Sequence, residues 1–139
     1  MNHVLLSVGS NINPVENFRA ASTILAQEQI LVDCTQPIVT KPHGYPHQPD
    51  FLNGAFYLKT TLDLPNLNRL LKTIEKQLGR VKTAIKSGPR TIDLDIIIWN
   101  GEIVRDEFYH YEYVYGPISE LAQKHGIILQ AQSVGKVGG

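Results

Sequence analysis

Two aspartates, Asp93 and Asp95, sit two residues apart in the run Thr91-Ile92-Asp93-Leu94-Asp95-Ile96-Ile97-Ile98-Trp99. The apolar, β-branched neighbours predict a strand over 91–99, yet aspartate is a residue that strands avoid. On a strand, a spacing of two aims both carboxylates at one face, about 6.5–7 Å apart. A wetted strand face explains such a pair without any chemistry. Arg90, three residues before Asp93 and at the end of a basic loop with a Gly-Pro step, gives the pair a second reading. Magnesium takes hard oxygen ligands, keeps several waters, and is held by one or two carboxylates plus substrate phosphates. Two carboxylates on a stiff strand can serve a pair of such ions about 3.5–4 Å apart. A guanidinium beside them can grip two phosphate oxygens at once. Phosphoryl transfer asks for little beyond positioning and charge neutralisation. D-x-D alone is a weak signal; R-x-x-D-x-D after such a loop is more specific.

The charge distribution agrees. Formal net charge is zero, but seven basic residues (Arg69, Lys72, Lys76, Arg80, Lys82, Lys86, Arg90) face one acid, Glu75, between positions 69 and 90. Between 93 and 120 seven acids face one base, Arg105. A cationic segment abutting aligned carboxylates suits a polyphosphate–magnesium complex. For the outer lysines, a solvated helix face is the simpler account.

The elements that must position these groups follow from the rest of the 139 residues, a length that predicts one domain with its own core. A composition 42% hydrophobic and 19% charged is that of an ordinary soluble globular chain. Neutral net charge offers nothing to nucleic acid. No apolar run approaches the ~20 residues of a membrane span, and the N-terminus lacks a basic signal region. The single cysteine, Cys34, fits a reducing cytoplasm. Nothing in the sequence marks an oligomeric state.

Residues 3–8 predict a short strand. Asn13-Pro14-Val15-Glu16 predicts a helix start, with Asn13 as cap and Glu16 reaching back to it. Phe18, Ala21, Ile24 and Leu25 give that helix an apolar stripe. A strand is predicted over 30–39, an ordered Pro-rich loop over 41–50 that includes His43, and a strand over 51–60. Asp63-Leu64-Pro65 opens a second helix whose Leu67, Leu70, Leu71, Ile74 and Leu78 form a stripe, and Gly79 ends it. Asn100-Gly101 signals a tight hairpin after 91–99, and a short helix is predicted over 117–125. The order β-α-β-β-α-β implies an α+β, ferredoxin-like sandwich, an antiparallel sheet with both helices on one face plus a C-terminal extension.

SGPRTIDLDII, residues 87–97, closely resembles the G-P-R-x-x-D-x-D signature of the 6-hydroxymethyl-7,8-dihydropterin pyrophosphokinase family. Three further stretches agree in order and approximate spacing: Gly9-Ser10-Asn11, Gln48-Pro49-Asp50-Phe51-Leu52-Asn53, and Ile74-Glu75 with Gly79-Arg80-Val81. The resemblance covers about residues 3–104 and leaves 105–139 as a divergent C-terminal segment of a single domain. It implies transfer of the β,γ-pyrophosphoryl group of ATP to the hydroxymethyl of a dihydropterin in folate synthesis, with release of AMP. It further implies that Asp93 and Asp95 are ligands of two Mg2+ ions, and that Arg80 and Arg90 hold the triphosphate catalytically. Lys82 and Lys86 stand in the same basic loop, Glu75 near the nucleotide, and Ile96 against the adenine. Asn53, Phe51 and Thr40 match pterin-binding positions, and Tyr113 the aromatic that stacks on the ring. The implied partners are these small molecules, with no nucleic acid and no membrane.

The segment FYHYEYVYGPISELAQ departs from the family pattern. About eight residues are missing ahead of Pro117, the basic residues expected there are gone, and His110 alone offers to replace the family histidine. An alternative reading follows: a pterin- or nucleotide-binding relative without turnover or with altered specificity. An RNA-binding module of ferredoxin type is disfavoured, because it lacks sheet-face aromatics and carries two acids on its best strand.

Overall fold

Alternation along the first strand decides the layering. The structure, a computed structural model, describes residues 1–42, 44, 46–79 and 91–132. Strand β1 (Asn2–Ser10) sends Val4, Leu6 and Val8 to one side and Leu5 to the other, and all four are buried. Each face of the sheet therefore needs its own cover.

The long strands are β1, β2 (Ile30–Cys34), β4 (Phe51–Thr60) and β5 (Asp93–Trp99). They lie in the order β2-β4-β1-β5, every neighbouring pair antiparallel. This is the α+β ferredoxin-like arrangement expected from the element order. Helices α1 (Pro14–Glu28) and α2 (Leu64–Gln77) cover the Val4/Leu6/Val8 face with Phe18, Ala21, Leu25, Leu67, Leu71 and Ile74. Burying each of the larger side chains contributes about 1.5–3 kcal/mol. The second face is covered by the C-terminal extension, where α3 (Glu107–His110) and α4 (Glu112–Lys124) set Phe108, Val114, Ile118 and Leu121 against Leu5, Ala55 and Tyr57.

Three local expectations give way. The strand expected over 30–39 is two, β2 and β3 (Ile38–Thr40), both paired to β4. Pro37 has no N–H for a ladder, and Thr35 instead takes the Ala55 N–H on its hydroxyl at 2.9 Å. Asn13 does not cap α1 with its side chain; it is left-handed, with φ 42°, and Asn17 donates to the Ile12 carbonyl. Helix α4 begins at Glu112 rather than at Pro117, which lies inside it. The reason is that its buried stripe, Val114, Pro117, Ile118, Leu121 and Ala122, already starts one turn earlier. Asp63 does cap α2, accepting the Asn66 N–H at 2.9 Å, and Asn100 and Gly101 turn the chain back after β5 with positive φ. Strand β6 (Glu102–Ile103) and the short β7 (Gln130–Ala131) complete that edge. Among the described residues no helix is long and apolar enough to cross a membrane.

The far end of α4 is fastened to β2 by charge. Asp33 accepts from Lys124 Nζ and His125 Nε2, both at 2.8 Å. Hydrogen bonds from Lys124 and then His125 outweigh burial and lower the Asp33 pKa to about 2 from its ordinary 3.8. A carboxylate with a depressed folded pKa stabilises above its unfolded pKa and loses that contribution as pH falls through the folded value. Urea midpoints of the wild type should therefore drop between pH 4 and 2. Asp33→Asn should start lower and lose that part of the slope; an unchanged slope would mean that the contact contributes nothing.

Candidate active site

The sheet register brings the chemistry-bearing residues into rows. Asp93 pairs with Gly9, and Gly9 pairs on its other side with Asn53, which in turn pairs with Ile38. One row thus crosses four strands, with Asp93 and Asn53 two interstrand spacings, about 9.5 Å, apart. The next row holds Asp95, Ser7 and Ala55. Asp93, Asp95 and Asn53 all lie on the face that α3 and α4 partly cover. Gly9 is required between them: a Cβ there would lie 2.8 Å from Asn53 Oδ1. The floor between Asp93 and Asn53 is bare backbone.

Two of the stretches singled out in the sequence meet at the strand ends. Asn11 Nδ2 donates to Gln48 Oε1 at 2.9 Å and to the Pro49 carbonyl at 3.0 Å. The loop before β4 is thereby tied to the end of β1. Asn53, 5% exposed, donates from Nδ2 to Thr40 Oγ1, and Thr40 pairs with Phe51 across the β3–β4 ladder. Thr40 also lines a cleft of about 580 Å³ together with Ile38, Tyr111, Tyr113 and Pro117. Tyr111 and Tyr113 stack with ring centroids 5.2 Å apart and planes at 25°. Burial raises the Tyr113 pKa, and the negative charges of Glu107, Asp93 and Asp95 add to the rise, so its hydroxyl shares the field of the aspartates.

Cations gather on Asp95. Lys72 Nζ lies 3.4 Å from Asp95 Oδ1, 3.1 Å from Glu75 Oε2 and 3.2 Å from the Leu94 carbonyl. Arg105 reaches Asp95 Oδ1 at 3.6 Å and donates from Nε to Glu107 Oε2 at 2.7 Å. Burial opposes the Arg105 charge, but Glu107, Asp95 and Asp93 together raise its pKa. Burial likewise opposes the Glu107 carboxylate, and the hydrogen bonds from Arg105 nevertheless hold its pKa below the ordinary value.

Of the residues expected from sequence, Asp93, Asp95, Asn53, Thr40, Phe51 and Tyr113 fall on this side of the sheet. Glu75 is 2% exposed and sits between α2 and β5, where Oε2 accepts the Leu94 N–H at 2.7 Å. The Ile96 side chain is buried in the opposite core, under α1 and α2, away from the aspartates. By the two-residue period of a strand, its peptide groups share the outer β5 edge with those of Leu94. His110 ends α3 and borders the cleft. Arg80, Lys82, Lys86 and Arg90, like His43, lie outside the described residues. Sequence reasoning missed Lys72, Arg105 and Glu107. Lys72 was signalled by standing three residues before Glu75, and Arg105 by being the one base between 93 and 120.

The donor set can be matched to a cation by its chemistry. Among the described residues no three His, Cys, Asp or Glu side chains cluster as a protein-only metal cage. Two partly buried carboxylates on one face suit a hard ion that keeps waters and takes substrate oxygens as its other ligands.

The family model for 7,8-dihydro-6-hydroxymethylpterin-pyrophosphokinase matches residues 5–123. The 2-amino-4-hydroxy-6-hydroxymethyldihydropteridine pyrophosphokinase of Bacillus subtilis (strain 168) is 33% identical over 136 residues, 89% of this chain and 81% of that protein. The protein of the same description from Haemophilus influenzae is 35% identical over 128 residues, 84% of this chain and 79% of that one. The folic acid synthesis protein fol1 of Schizosaccharomyces pombe is 40% identical over 105 residues; these are 73% of this chain but only 14% of that protein.

Glu75 gives the geometry a direct test. Glu75→Ala leaves the Leu94 N–H buried without this acceptor, so unfolding free energy should fall by about 1–3 kcal/mol. Glu75→Gln keeps an acceptor oxygen and should lose clearly less, the Lys72 pairing apart. Equal losses in denaturant titrations would show that the hydrogen bond to β5 is not what Glu75 supplies.

Proposed function

Because the chain belongs to the 7,8-dihydro-6-hydroxymethylpterin-pyrophosphokinase family, we propose a division of labour along its sheet, with phosphate chemistry at β5 and pterin recognition at β3–β4. The enzyme is a diphosphotransferase: it moves pyrophosphate from ATP to the hydroxymethyl group of the dihydropterin in folate synthesis. The hydroxymethyl group gives up its proton to solvent and its oxygen forms a bond to the β-phosphorus as the bond from that phosphorus to the α,β-bridging oxygen breaks. AMP leaves with the bridging oxygen. The observation that carries the proposal is the row Asp93–Gly9–Asn53, which sets carboxylates and a buried amide on one face across a bare floor.

In this reading Asn53 presents its amide edge to the ring, held in orientation by Thr40. Phe51 and Tyr113 supply flat apolar surface beside it. Asp93 and Asp95 would hold two Mg2+ ions, which when bound would neutralise charge on the phosphate oxygens. Arg80 and Arg90, with Lys82 and Lys86, hold the triphosphate from the basic loop. Glu75 acts by fixing β5, and Ile96 offers the nucleotide its peptide groups rather than its side chain. The chain is read as a single domain, with a core over about 1–104 and a divergent C-terminal segment over 105–139, of which α3 and α4 supply the second cover. The partners are small molecules and not nucleic acid, and the single exposed cysteine suits the cytoplasm.

The reading as a binding protein without turnover is not favoured. It rested on the shortened segment, and the family match continues through 105–116 as far as residue 123. The direct test is to incubate the protein with ATP, magnesium and the reduced hydroxymethylpterin and to separate the nucleotides. AMP should appear only when the pterin is added; hydrolysis to ADP, or no reaction, would overturn the assignment.

Three variants resolve the division of labour. Asp93→Ala and Asp95→Ala should each abolish AMP formation while free-pterin affinity and the unfolding midpoint stay near wild type. Full turnover in either would remove the two-carboxylate role. Asn53→Ala should weaken pterin binding by about 1–3 kcal/mol, the usual consequence of an unpaired buried polar edge, and leave ATP affinity nearly unchanged. Calorimetry with each ligand separately decides this, and equal losses for both would make Asn53 a residue of the fold alone.

A further inference from the structure

The segment after β6 was expected to have lost its cations, yet it sets Arg105 beside the aspartates. The geometry of that side chain is specific. A guanidinium has two usable edges, Nε with one amino group and the two amino groups together. Glu107 Oε2 takes the first edge, accepting from both Nε and Nη2. The other edge faces Asp95, and there Nη1 stops at 3.6 Å, beyond hydrogen-bond length. Arg105 is thus leashed on one side and only loosely paired on the other, with 43% of its side chain exposed. Lys72 crowds the same Asp95 oxygen at 3.4 Å. Two monovalent cations around one carboxylate stand where a divalent ion would displace them by charge alone.

We propose that Arg105 is a phosphate-binding residue of this enzyme, held ready by Glu107 and released from Asp95 to the polyphosphate of ATP when a divalent cation takes that carboxylate. The inference rests on the pyrophosphokinase reading and adds to it a residue that the family resemblance did not supply. The free edge of Arg105 has the spacing for two phosphate oxygens. Its leash keeps the charge within a side chain's length of the aspartates, so it serves ligands with phosphates at the cation and not a bare nucleoside monophosphate.

The test measures binding, with α,β-methylene ATP as the probe because its transferred bond cannot be cleaved. In the presence of magnesium, Arg105→Ala should weaken the analogue by about 10–100-fold, the range for lost charge-assisted hydrogen bonds. Affinities for AMP and for the pterin should stay within about twofold on the same reasoning. Arg105→Lys, which keeps the charge without the fork, should fall between wild type and Arg105→Ala, and it carries the test if the alanine variant does not fold. Glu107→Gln should weaken the analogue several-fold by loosening the leash. An Arg105→Ala protein that binds the analogue as wild type does, or that loses the analogue and AMP equally, overturns the proposal. AMP formation by the wild type from ATP and the pterin is measured in parallel. If that fails while the analogue still depends on Arg105, the functional reading falls and the phosphate site stands.

Discussion

A buried carboxylate fixes the strand that carries the aspartates. Strand β5 is paired along β1, but on its outer side it meets β6 only at Ile98 and Trp99. The Leu94 N–H, between Asp93 and Asp95, therefore points at no strand, and a buried peptide donor must find an acceptor. Glu75 supplies it from α2, brought level with Leu94 by the packing of Leu71 and Ile74 on the same face. A lone buried carboxylate would itself be costly, and Lys72 offsets it while also bonding the Leu94 carbonyl. Helix and strand are thus pinned at one residue on both its peptide groups. The aim of the two flanking carboxylates follows from that pin.

The sheet converts the pin into a site. Its register sets Asp93, Gly9 and Asn53 in line, and its pleat keeps them on one face. A bulge then separates the site end of β5 from its core end. Leu6 pairs with Ile96 and Leu5 with Ile98, so Ile97 is extra, and both Ile97 and Ile98 join the core under α3 and α4. Trp99 returns to the other core. The doubled isoleucine thickens the second core where α4 must sit, and the strand beyond it stays clear for polar groups.

What was legible in the sequence was whatever has a period or a local chemistry. The spacing of two placed both aspartates on one face, the stripe of α2 gave its packing side, and Asp63 and Asn100-Gly101 acted as their types predict. Strand β4 runs over 51–60 as read. Illegible were partners brought in from elsewhere in the chain. Nothing local in Glu75 says that it is buried against Leu94, and its acidity beside seven bases suggests a surface charge instead. Ile96 was expected against the adenine, and its alternation, which turns the side chain toward α2 and away from the aspartate face, is plain only once the strand is paired. Arg105 stood out as the one base between 93 and 120, but nothing in its local sequence says that it turns back to Asp95. Only the hairpin at Asn100-Gly101, folding the chain back, makes ten residues of separation from Asp95 into 3.6 Å.

The same hairpin lets one stretch of chain serve two ends. Beyond β6 the chain has to cover the second face and also reach the site edge, and length is costly only if these are done in turn. Here they are done together. Tyr111 alone separates α3 from α4, as the C-cap of one and the N-cap of the other, so a single residue is spent between them. Phe108 and Val114 point into the second core, and Arg105, Glu107 and Tyr113 stand toward the aspartates from the same short stretch. Helix α4 then crosses to the far edge and is anchored there on Asp33 of β2. A helix fastened at its far end and buried along its length holds its first turn still, and that first turn carries Tyr113. The stiffness of that first turn comes from the sheet on which the helix lies.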